Sequence, residues 1–162
     1  MTAMLRTAVV LALLSLAPAP ALAFGGGGGD SSGGDAVAQT PGAEDLAKAE
    51  KKVKAEKYEE AIPLLEKAVK ANPKNAAALN YLGYSHRKLG HVDQALGYYH
   101  QALAVDPKHR GANEYLGELY LELKQLDKAE ERLAVLSTAC NACEEYVELK
   151  EKVEAFKKGQ AS

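Results

Sequence analysis

Apolar residues recur at helical spacing through much of the chain. Leu82, Leu89, Leu96, Leu103, Leu116, Leu119 and Leu123 form one stripe, with polar residues between them. A second stripe follows Cys143: Tyr146, Leu149, Val153 and Phe156, spaced 3, 4 and 3 apart. Glu and Lys cover its remaining positions, acids leading and lysines trailing, which suits a helix dipole. The pattern predicts helices and no strands. Two stretches break it. Thr7–Leu16 is a run of Ala, Val and Leu interrupted only at Thr7 and Ser15. Phe24–Gly42 holds eight of the fourteen glycines, with Asp30, Ser31, Ser32 and Asp35 in the gaps.

The apolar run is preceded by Arg6 and followed by Pro18, Pro20 and Ala21-Leu22-Ala23. A basic start, a short apolar core and small residues at the end are the layout of a secretory signal peptide, here residues 1–23. The run is too short to span a bilayer, which takes about 20 apolar residues. The expectation is therefore export, to the periplasm or beyond, with no stable membrane insertion after cleavage. The Gly-rich stretch, residues 24–41, cannot bury enough apolar surface to offset its ordering entropy, so it reads as a flexible linker. A phosphate-binding loop would need a strand before it and Lys-Ser/Thr after it, and neither is present.

Ala61, Ala95 and Ala129 fall 34 residues apart, and Pro73, Pro107 and Asn141 share the same register. So do Lys57-Tyr58-Glu59-Glu60, His91-Val92-Asp93-Gln94 and Gln125-Leu126-Asp127-Lys128, each ending just before the Ala, where a second helix is expected to begin. A period of this length belongs to helix–turn–helix repeats. Gly83 and Gly117 lie mid-helix, where Gly costs about 1 kcal/mol against Ala. The cost makes sense if another helix crosses closely there. Pro73 and Pro107 close their helices, and Pro63, read as lying near a first turn, predicts at most a small kink.

Residues 76–109 resemble the tetratricopeptide repeat family through Leu79, Leu82, Gly83, Ala95, Tyr99, Ala102 and Pro107, with Leu79 and His86 in place of two usual aromatics. Residues 110–143 are similar through Leu116, Gly117, Tyr120, Ala129 and Leu133, and depart at Asn113, Leu136 and Asn141. Residues 42–75 match in their second helix, through Ala61, Leu65, Ala68 and Pro73, and in Ala49 of the first, whereas Asp45, Lys48 and Lys52 stand where apolar residues belong. The resemblance implies an all-α, right-handed superhelical stack of three repeats, with residues 144–158 as a C-terminal capping helix. It also implies a concave groove lined by the first helices. The middle repeat would supply Asn80, Tyr84, Arg87 and Lys88, the third Glu114, Glu118, Leu121 and Glu122, and the first Leu46, Glu50 and Lys54. Some relatives grip a terminal carboxylate there, but Leu46 and Glu50 depart from that clamp.

The remaining chemistry is sparse. Cys140 and Cys143 are the only thiols. Glu144 stands where c-type haem attachment requires His, and no strand–helix–strand unit accompanies the pair as thioredoxin-like work requires. Zinc would need two further ligands, and His86, His91, His100 and His109 are scattered. A structural disulfide between the third repeat and the capping helix is expected, since residues i and i+3 can approach to disulfide distance. His86 reads as a core histidine. No catalytic residue, cofactor site or metal site is indicated.

Composition narrows the function. The net charge is −2, with 20 Lys+Arg against 22 Asp+Glu, so a nucleic-acid surface is not expected. Hydrophobic residues at 47% and charged ones at 26% fit an ordinary globular protein. The leading expectation is a non-enzymatic periplasmic adaptor holding a protein or peptide partner in the groove. The alternatives are an exported redox or metal-handling protein acting through Cys140 and Cys143, and a scaffold whose repeats stack between chains.

Overall fold

A computed structural model of the chain describes residues 40–160. The expected signal peptide and residues 24–39 of the expected linker lie outside the described residues. Those described form seven helices: α1 (Ala43–Lys54), α2 (Tyr58–Ala71), α3 (Ala76–Lys88), α4 (Val92–Val105), α5 (Arg110–Glu122), α6 (Leu126–Ala139) and α7 (Glu144–Gln160). There is no strand among them, and no described helix is long and apolar enough to cross a membrane.

Helices pair within repeats, α1 on α2, α3 on α4 and α5 on α6. Across repeats the first helices follow one another: α1 meets α3, α3 meets α5, and α5 meets α7. The last helix thus continues the row of first helices and also packs on α6. Its stripe seats Leu149 and Val153 in the core with Leu116, Leu119 and Leu136, while Tyr146 and Phe156 pack at the margin. It runs two residues past the end expected from its pattern.

The small residues at repeat spacing do what their size allows. Ala61, Ala95 and Ala129 are fully buried, as are Ala68 and Ala102. A Cβ built on Gly83 would lie 2.6 Å from the Tyr99 ring, and one on Gly117 would lie 2.5 Å from Leu149. The weakly matching α1 is a helix all the same. Glu44 and Asp45 in its first turn and Lys51, Lys52 and Lys54 in its last complement the dipole. Its buried contacts are Ala49 and Val53, with Leu46 packed beside them against Leu65 and Leu82.

The second helices begin three residues earlier than the sequence suggested, at Tyr58, Val92 and Leu126. The cause is the link between the two helices of each repeat. Glu56, Gly90 and Lys124, again 34 apart, adopt φ of 57°, 78° and 57°. One left-handed residue reverses the chain and lets the next helix start at once. Pro63 therefore sits beyond the first turn, and α2 continues through it. Two of these positions carry a side chain in a region that costs an L-residue about 1–2 kcal/mol. Glu56→Gly and Lys124→Gly should each raise the urea midpoint, a gain in stability of up to about 1 kcal/mol once the extra freedom of unfolded Gly is deducted. A lowered midpoint in both would refute the turn geometry.

Polar side chains close other ends. Asn75 Oδ1 accepts from the Ala78 N–H at 3.0 Å, and His109 Nδ1 accepts from the Ala112 N–H at 3.1 Å. Asn113, unusual for its repeat position, is fully buried and donates to the carbonyls of Pro107 and His109. It ties α5 to the turn before it.

Candidate functional site

The row α3, α5 and α7 builds a groove of about 380 Å³. Tyr84 and Lys88 line it from α3, Glu114, Tyr115 and Glu118 from α5, and Glu144, Glu145, Glu148 and Lys152 from α7. A neighbouring hollow of about 290 Å³ continues it towards α1 and α2, lined by Val53, Lys54, Tyr58 and Tyr81, and sharing Tyr84 and Tyr115. The tyrosines form a row: Tyr58 meets Tyr84 edge-on at 6.0 Å, and Tyr84 meets Tyr115 at 4.8 Å. Lys88 Nζ lies over the Tyr84 ring, 5.4 Å from its centre.

Beside this row lies an ion network. Arg87 donates to Glu118 at 2.5 Å and to Glu122 at 2.6 and 3.2 Å, joining α3 to α5. The Arg87 and Glu118 side chains are each only 11% exposed. Lys152 reaches from α7 to the other oxygen of Glu118. Burial opposes the Lys152 charge, but Glu118 outweighs it and raises the ammonium above its ordinary range.

Glu114 is the anomaly. It is 4% exposed, and its side-chain hydrogen bond is to another carboxyl, that of Glu148. Burial first, then the Glu118 and Glu148 carboxylates, push its pKa from 4.5 up to about 8. Glu114, Glu118 and Glu148 offer oxygens within 4.8 Å of one another, the described trio best placed to hold a cation. Burial and Glu114 likewise raise the Tyr115 phenol.

That anomaly makes a stability prediction. The folded chain holds the Glu114 proton up to about pH 8, whereas the unfolded chain releases it near 4.5. Folding therefore loses stability from this group as pH rises through that window, by at most about 1.4 kcal/mol per pH unit. Glu114→Gln should gain on the native chain as pH climbs from about 5 to about 8 in urea titrations. A constant difference between the two would show that Glu114 is ordinary.

The structure distributes the sequence-derived groove set as follows. Tyr84, Lys88, Glu114 and Glu118 line the groove together. Arg87 lies at its end in the ion network, beside a more apolar hollow formed by Leu121, Ala155 and Phe156. Asn80 is buried at 5% exposure, near Gly111, and its Oδ1 has no hydrogen-bond partner. Leu46 packs on the core, and Lys54 lines the second hollow. Sequence reasoning missed Tyr115 and the whole α7 wall. For Tyr115 the signal was Tyr81, which precedes it by one repeat period.

Outside the groove, His86 is 8% exposed, stacks on Tyr98 at 5.3 Å and sets Nδ1 3.2 Å from His91 Nδ1. Burial, then His91, lowers its pKa below the usual 6.5. It is a packed histidine with a partner. Cys140 and Cys143 lie side by side between α6 and α7, with Cα atoms 5.5 Å apart.

Two sequence profiles, both described as tetratricopeptide repeat, match residues 46–90 and 86–153. No curated protein matches the chain in sequence. Solved structures share the fold at low identity. The first TPR of Spaghetti (RPAP3), bound to the HSP90 peptide SRMEEVD, is 20% identical with a TM-score of 0.67, over 75% of this chain and 94% of that one. The Yersinia enterocolitica type III secretion translocator chaperone SycD is 19% identical with a TM-score of 0.65, over 74% and 85%. PcrH in complex with the chaperone binding region of PopD is 20% identical with a TM-score of 0.64, over 72% and 91%.

Proposed function

The chain belongs to the tetratricopeptide repeat family, and on that premise we propose that it is a non-enzymatic adaptor of the periplasm, holding a segment of a protein partner in the groove between α3, α5 and α7. The observation that carries this reading is the groove itself. Three helices distant in sequence converge on one hollow with an aromatic row and a charged wall. Structural neighbours support it: the RPAP3 domain holds an HSP90 peptide, and PcrH holds a region of PopD. The periplasmic assignment rests on residues 1–23 and is tested by fractionation with N-terminal sequencing, expected to begin at Phe24.

A photo-crosslinking amino acid placed at Tyr84 tests the groove, with one at Gln101, exposed on α4, as the control. Capture of one defined segment at 84 and not at 101 is expected. Capture only at 101, or none at 84, would sink the adaptor reading.

The cysteines are proposed as a disulfide staple between α6 and α7. The loop they close is very short, so the bridge is worth about 2 kcal/mol at most. Changing both to Ser should lower stability modestly and leave the crosslink at 84 intact. A redox or metal-handling protein would behave otherwise: the double variant would keep its stability and lose its function.

A further inference from the structure

We infer that the groove accepts a lysine- or arginine-bearing segment of the partner, its cationic head between Glu114, Glu118 and Glu148 and its stem on Tyr115 and Tyr84. The inference rests on the adaptor reading and specifies the chemistry of its ligand.

Charge comes first. The groove wall carries the carboxylates of Glu114, Glu118, Glu144, Glu145 and Glu148 against the ammonium groups of Lys88 and Lys152. Some of these charges are paired within the chain: Glu118 with Arg87 and Lys152, Glu148 with Lys152 at 3.6 Å, and Glu145 with Arg110 at 3.7 Å. The wall still holds more acidic groups than basic ones, so a basic segment meets more of its complement there than an acidic one does.

Glu114 is the second observation, and it points to a ligand. A carboxyl this buried is ordinarily supplied with donors by its own chain, because an unpaired buried charge is costly. Here the cavity-lining Glu114 faces other carboxylates, and Lys152 is paired with Glu118 and Glu148. The hydrogen-bond partner of Glu114 is the Glu148 carboxyl, and two carboxyls can share that bond only through a proton of their own. A proton satisfies the pair when the groove is empty, and an incoming ammonium or guanidinium satisfies it when the groove is full.

The aromatic row supplies the rest. Lys88 over Tyr84 shows that a ring face here receives an ammonium. Tyr115 packs on that ring and lines the groove together with Glu114, Glu118 and Glu148, so an aliphatic stem lying on it can reach the carboxylates.

Binding of this kind releases a proton. The groups facing Glu114 are Glu118 and Tyr115 on its own helix, Arg87, Lys88 and Tyr84 on α3, and Glu144, Glu145, Glu148 and Lys152 on α7. None of these bases donates to Glu114, so entry of a cation shifts it to the carboxylate. Affinity should rise with pH while that proton remains to be displaced.

The test uses fluorescence anisotropy on the purified chain. The probes are a fluorescein-labelled peptide of alternating Ala with Lys and Arg, and its twin with Glu in place of the bases. The basic peptide is expected to bind at least about tenfold more tightly than the twin. Glu114→Gln with Glu148→Gln should weaken it by about tenfold at unchanged helix content. The affinity gain between about pH 6 and about pH 8 should disappear in Glu114→Gln alone. No binding of the basic peptide, equal binding of the twin, or indifference to the double variant each overturns the inference. A pH gain that survives Glu114→Gln overturns it too, as does a self-associating chain whose Lys157–Lys158 end fills the groove. The crosslink at 84 separates the two levels. A captured segment without Lys or Arg overturns this inference and leaves the adaptor standing, whereas no capture removes both.

Discussion

Gly83→Leu will unfold the stack or cost it several degrees of melting temperature, and Gly83→Ala is enough to show why. A single Cβ at this position would lie 2.6 Å from two ring carbons of Tyr99. Tyr99 is fully buried, so its ring has nowhere to turn. Alanine would otherwise improve a helix interior by about 1 kcal/mol, and overpacking of about 1–3 kcal/mol reverses that sign. Leucine adds three more carbons to the same space. Gly97 provides the control, because it is also mid-helix but a Cβ there meets nothing within 4 Å. Gly97→Ala should therefore stabilise by up to about 1 kcal/mol. If both alanine variants melt at the same temperature, the α3–α4 crossing is not as close as described.

Arg87→Ala should be the second most damaging change, at about 3 kcal/mol. The guanidinium joins α3 to α5 through Glu118 and Glu122. Its loss leaves Glu118, 11% exposed, facing Glu114 and Glu148 with only Lys152 in compensation. The penalty comes from the stranded carboxylate more than from the lost contact. The combination Arg87→Met with Glu118→Gln should therefore recover most of the stability, a coupling that urea titration of the four species measures directly. Arg87→Ala within about 0.5 kcal/mol of the native chain would mean that water already screens the pair.

These two residues also mark what could be read from the chain. Gly83 was legible because close helix crossings demand small residues at the repeat period, and a period survives in one dimension. The same logic located the buried alanines. It failed at the turns, where Glu56 and Lys124 adopt the conformation that only Gly90 advertises. The Arg87–Glu118 pair was invisible because its partners stand 31 residues apart and nothing in spacing couples them. Glu114 was placed in the groove, but its burial was not foreseen, since a charged residue on a charged helix face looks solvated. Its register held the clue: it lies one repeat after Asn80, another buried polar residue. The stripe of α7 showed which face is buried. That the charged residues flanking it wall the groove depends on where α7 docks, which no amphipathic pattern states.

The tyrosine row gives the groove an optical consequence. The chain contains no tryptophan, so its eight tyrosines dominate its intrinsic emission in the near ultraviolet. Four of them, Tyr58, Tyr81, Tyr84 and Tyr115, border the second hollow, and three of these stand close enough to exchange excitation. The buried carboxyl of Glu114, next to Tyr115 in the chain and with it in the groove wall, is a ready proton acceptor for the excited phenol whenever it is ionised. Filling the groove changes both the packing of the rings and the protonation of that quencher. The unlabelled protein therefore carries its own fluorimeter, reading occupancy at the place where the partner docks.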